Sequence, residues 1–156
     1  MAHYRHTQVG WVVVVAVTLT SVVALGVALL MPAGAMLAPW WTPLLLLAVL
    51  VLALVLFGWL TVEVDAREVR LRFGIGTIRK TLPIADVIRC DRMRTRLWWG
   101  WGLHWTPAGW LYNVSGREAV RLEMHRERPV VIGSDDADAL KAAIDARVAE
   151  HGPPGR

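Results

Sequence analysis

Arg92, Arg94 and Arg96 stand two residues apart and run directly into Trp98-Trp99. Guanidinium groups at this spacing, followed by indoles, suit two kinds of chemistry: attraction to an anionic surface and stacking of a cation on an aromatic face. Arg89 extends the cluster, and residues 66–117 hold ten basic side chains against three acidic ones. One basic side chain beside an anionic leaflet is worth about 1 kcal/mol, so a few of them next to tryptophans suffice to dock a face. The competing reading is a solvated strand face backed by core aromatics, since half-buried strands show the same alternation. Arg92, Arg94, Arg96, Trp98 and Trp99 are therefore the candidate membrane- or partner-contact residues.

Other chemistry is not encoded. There is no nucleophile elbow, phosphate-cradling glycine loop, HExxH or paired carboxylate arrangement. The single cysteine, Cys90, offers neither a disulfide nor metal-ligand spacing. No catalytic residue, metal or cofactor is expected, and the chain reads as a non-enzyme. His104 stands alone and reads as structural. A formal net charge of +4 is modest, and nucleic acid is not an expected partner.

The elements that would position the cluster are strands. In residues 98–116 (WWGWGLHWTPAGWLYNVSG), Trp99, Trp101, Leu103 and Trp105 alternate with Gly100, Gly102 and His104, the period of a half-buried strand. Thr106-Pro107-Ala108-Gly109 supplies turn chemistry, and residues 110–114 resume the strand. The row reads mostly as core, with Trp105 and Trp110 a buried pair across the turn. Alternation recurs at Val62/Val64, at Val69/Leu71/Phe73 and at Val120/Leu122/Met124. The period then changes: Ser134 suits an N-cap, and Leu140, Ile144 and Val148 fall on one helix face. About seven short strands and one C-terminal helix predict a small β barrel or sandwich sealed by that helix.

The first third differs in kind. Every acidic residue, and every Lys or Arg except Arg5, lies after residue 60. Two apolar runs, at about 9–30 and 43–60, approach the ~20 residues that cross a ~30 Å hydrocarbon core. Residues 31–42 carry no charge and hold Trp40-Trp41. These features predict a transmembrane helical hairpin. Arg5, the first run and Ala33-Gly34-Ala35 resemble a signal peptide, but the run is longer than an h-region of about 7–15 residues. Basic residues flank the two runs and none lies between them, which places both termini in the cytoplasm. Ala16, Thr20, Ala24 and Ala28 set small side chains at every fourth position, a candidate helix-packing stripe.

The two runs, the strand pattern, GLHWTPAGWLYNVSG and VIGSDDADAL together resemble small bacterial membrane-anchored proteins with a pleckstrin-homology-like (PH-like) domain. The resemblance implies a PH-like barrel closed by a C-terminal helix and supplies no catalytic or ligand residues. The expected organisation is a tail and hairpin over residues 1–60, a cytoplasmic PH-like domain over 61–150 and a disordered tail over 151–156. The expected location is the bacterial inner membrane, as a multi-pass protein. The expected function is a protein-interaction or assembly module there, with the bilayer and another membrane or cytoplasmic protein, a second copy included, as partners. The alternatives are a domain that binds anionic lipid of the inner leaflet and, remotely, an enzyme.

Overall fold

Tyr4–Val9 forms a strand, β1, where the sequence suggests a polar tail. The computed structural model describes residues 4–30, 39 and 41–151. β1 pairs antiparallel with β2 (Trp59–Val64), in register from Tyr4–Val64 to Val9–Trp59. Between these strands the chain makes two helices, α1 (Trp11–Leu30) and α2 (Thr42–Phe57), the second with proline in its first turn, where a missing N–H costs nothing. The Gly10 N–H donates to the Gly58 carbonyl at 2.7 Å, so the start of α1 meets the end of α2 and the helices pack as an antiparallel pair. The pair extends from the β1–β2 ladder, and the expected boundary at residue 60 falls inside β2.

The transmembrane expectation is corrected here. Among the described residues no helix is long and apolar enough to cross a membrane. A spanning hairpin needs two long arms, and α2 has 16 residues, a length of about 24 Å against the ~30 Å required. Residues 58–60, assigned to the second span by their apolarity, turn and enter β2. The transmembrane anchor and the multi-pass inner-membrane location, with both termini cytoplasmic, fall with the spans. The connection at 31–38, Trp40 and the tail at 152–156 lie outside the described residues.

The barrel is corrected too. The described residues form nine strands in two separate sheets, which do not close on one another. The first is β1-β2-β3-β4, with β3 at Glu68–Phe73 and β4 at Ile78–Pro83. The second runs β5-β8-β9-β7-β6: β5 Val87–Arg94, β6 Gly102–Thr106, β7 Gly109–Asn113, β8 Glu118–Met124 and β9 Val130–Gly133. All pairings are antiparallel except β7 with β9.

Period-2 alternation puts one side of each sheet into a shared core. Leu60, Val62, Val69, Leu71 and Phe73 of the first sheet meet Tyr112, Val120, Leu122 and Ile132 of the second. α3 (Ala137–His151) packs on β5 and β8 and adds Leu140 and Ile144, both fully buried. Its cap sits two residues beyond Ser134: Asp136 Oδ1 accepts from Ala139 N at 3.4 Å, while Ser134 Oγ accepts from Asp136 N at 3.1 Å. Burial pushes the Cys90 thiol up to about 12, as expected of a small core side chain shielded from water.

Candidate functional site

The arginine–tryptophan run divides in space. Trp98 and Trp99 lie in a short 3-10 turn, Leu97–Trp99, and the strand begins only at Gly102. Gly100 and Gly102 take φ of +70° and +109°, which interrupts the strand that the alternation predicts. Trp98 is 76% exposed, and the Arg96 guanidinium stacks over its ring at 5.2 Å. Trp99 turns the other way and half-buries itself against Leu111, Ala119 and Val131, a small apolar cluster apart from the main core.

The arginines divide as well. Arg92 forms a fork with Asp138 of α3 at 2.6 and 2.7 Å and reaches Glu118 at 3.2 Å. Its guanidinium is held above its ordinary pKa first by the Glu118 hydrogen bond and then by the Asp138 charge. Arg94 pairs with the same Glu118 at 2.9 Å. Arg92 thus joins β5 to α3, while Arg94, Arg96 and Trp98 present an exposed edge.

The tryptophan row is not core. Trp105 and Trp110 do face one another, edge to face at 5.9 Å, yet they stay 48% and 42% exposed at the tip of the β6–β7 hairpin. Arg128 lies over Trp105 at 5.0 Å. The turn between these strands depends on Gly109: at φ +124°, a Cβ there would meet the Pro129 carbonyl oxygen at 2.0 Å.

A cavity of about 340 Å³, a size typical of small-molecule sites, lies where the helical pair meets the edge of the second sheet. Val13, Ala53 and Phe57 line one side, and Trp101, Leu103 and His104 the other. Trp101 is held as a wall by its indole N–H, which donates to the Gly116 carbonyl at 3.3 Å. His104 Nε2 is buried without a protein partner. Sequence reasoning misses this cavity because its walls come from segments some forty residues or more apart. The unexplained histidine is the one signal it leaves.

The proposed packing stripe on α1 is largely turned outward. Ala16 and Thr20 are exposed and Ala24 is half-buried, while the half-buried line runs through Val14, Val17 and Ser21. Ala28 lies outside the residues whose side chains are described. Asn113 and Ser115, which form a glycosylation-like triplet with Val114, are structural: Asn113 Oδ1 accepts from Ser115 N at 3.2 Å, and Ser115 Oγ donates to Val9 O at 2.8 Å. Among the described residues no group of acidic, histidine or cysteine side chains is placed to hold a metal ion.

Compared with known proteins, the chain matches no family model, no curated protein and no solved structure.

Proposed function

We propose that this chain is a non-enzymatic interaction or assembly module, with a contact surface formed by the α1–α2 pair and the edge carrying Arg94, Arg96 and Trp98. The observation that carries this reading is the uncovered apolar face of the helices. Neither helix holds a charged residue, and Leu19, Leu25, Leu29 and Leu30 are 60%, 61%, 77% and 86% exposed. Monomeric proteins seldom leave more than a few hundred Å² of contiguous apolar surface bare, because covering it is worth roughly 25 cal/mol per Å². Trp101 links the two parts, since it lines one cavity with Val13, Ala53 and Phe57 of the helices.

A second reading, contact with anionic lipid headgroups, is favoured by one observation. Arg96 is stacked on an exposed tryptophan and, among the described residues, has no carboxylate partner. Photocrosslinkers placed at Leu52 and at Trp98 in living cells test both. The interaction reading expects discrete protein adducts from both positions. The absence of protein adducts, with flotation of the chain on anionic but not neutral vesicles, would overturn it in favour of the lipid reading.

A further inference from the structure

The outer face of the first sheet carries an electrostatic conflict. Arg72 and Arg79 are direct cross-strand partners between β3 and β4. Directly opposed residues share a face with Cβ atoms about 4.5–5.5 Å apart, and like charges placed so destabilise a sheet. The two guanidinium groups turn to different partners. Arg72 reaches Glu63 at 3.6 Å, while Arg79 Nε donates to the Gly76 carbonyl.

Nearby acids neutralise the pair only in part, through Glu63 on Arg72. Glu63 also takes Arg5 at 3.3 Å, while Arg70 occupies Asp65 at 2.9 Å and Glu68. Arg5 and Arg72 therefore share one carboxylate, Glu63, and Arg79 has no carboxylate partner among the described residues. The same row across the sheet continues through Thr61 and Thr7, whose hydroxyls meet at 2.9 Å. One step further along the same face come Trp59 and Val9, and then the glycines where the helices leave. The surface passes from two cations, through two hydroxyls, to apolar side chains.

We propose that the Arg72–Arg79 pair, with Thr61 beside it, is a binding site for a phosphate monoester. A tetrahedral dianion offers several acceptor oxygens, so it can take charge-assisted hydrogen bonds from both guanidinium groups and relieve their repulsion. The adjoining apolar strip suits the carbon body of a phosphorylated amphiphile. This inference does not rest on the proposed interaction surface, because its ligand groups, Arg72, Arg79 and Thr61, belong to neither the helices nor the edge carrying Arg94, Arg96 and Trp98.

The test is thermal unfolding of the full chain in millimolar phosphate against chloride at equal ionic strength, with wild type and Arg79→Gln compared. Phosphate should raise the wild-type midpoint and leave Arg79→Gln unmoved. Without phosphate, Arg79→Gln should unfold cooperatively with a midpoint close to that of wild type, because loss of the hydrogen bond to the Gly76 carbonyl is offset by relief of the like-charge contact; the cooperative transition shows that the variant folds. Titration with inorganic phosphate, dodecyl phosphate and vesicles containing phosphatidic acid distinguishes the sources. Tighter binding of the dodecyl ester assigns an amphiphile, equal binding assigns a free phosphate, and in either case Arg72→Gln weakens binding about tenfold. An equal phosphate shift in wild type and Arg79→Gln, or no shift in either, overturns the site.

Discussion

Gly10 and Gly58 are joined backbone to backbone: the Gly10 N–H donates to the Gly58 carbonyl at 2.7 Å, and a Cβ on Gly10 would meet the Phe57 carbonyl oxygen at 2.9 Å. The contact closes the base of the helical pair and continues the β1–β2 ladder into it. Gly74 packs on the same junction, donating its N–H to Trp59 O at 2.8 Å.

Substitutions at this junction should separate cleanly. Gly74 has φ +49°, and its added Cβ would lie 1.8 Å from Val55 O, so Gly74→Ala is expected to cost about 3 kcal/mol through strain and backbone displacement. Gly10→Ala should cost less, because the clash is shallower. Gly26→Ala is the control: nothing lies within 4 Å of its added methyl, and the change should be neutral or slightly stabilising. Chemical unfolding followed by circular dichroism measures all three.

A second prediction concerns β1. Gln8 is buried, and its amide donates to the Ser115 carbonyl at 2.9 Å. Gln8→Ala leaves that carbonyl without its partner and should cost about 1–3 kcal/mol. Hydrogen exchange should show lost protection in Tyr4–Val9 and in residues 113–116 together. Loss confined to the N-terminus would mean that β1 frays without holding the second sheet's loop.

Much of the architecture is legible in the chain and some is not, for physical reasons. Val69-Arg70-Leu71-Arg72-Phe73 alternates because one side of β3 faces the core, and Leu140 and Ile144 recur at helical spacing because one side of α3 does. β1 carries no such signal. Tyr4, His6 and Gln8 face inward, yet none is an aliphatic strand former, and the strand exists because β2 offers it a ladder. The tryptophan row misleads in the opposite sense. Its alternation is real over Leu103–Trp105, but the hairpin tip runs past the core, so Trp105 and Trp110 pack on each other in solvent. Of the candidate contact residues, the spacing shows the cluster but not that Arg92 is committed to α3 and Trp99 to a second apolar cluster. Both partners lie far along the sequence.

Alkaline pH supplies a third prediction. Burial first, then the Asp145 charge, pushes Cys90 up to about 12; burial first, then Asp136, pushes Tyr4 to about 12. Both folded values lie above the ordinary 9.0 and 10.0, so the folded state binds these protons more tightly. Their contribution is fully present below pH ~9 and is lost as pH rises through the folded values. Stability should therefore fall between roughly pH 9 and 12, and Cys90→Val should delay the onset. Thiol reagents should label Cys90 at neutral pH only as fast as the chain opens.

The most direct test of the account asks whether the helical pair is a contact surface on an independently folded pair of sheets. Val9 and Trp59 are cross-strand partners, so residues 10–58 can be replaced by an Asn-Gly turn that joins β1 to β2. Sedimentation and thermal unfolding of this shortened chain should show a cooperatively folded monomer, while the full chain associates. A shortened chain that fails to fold, or one that associates as the full chain does, would contradict the account.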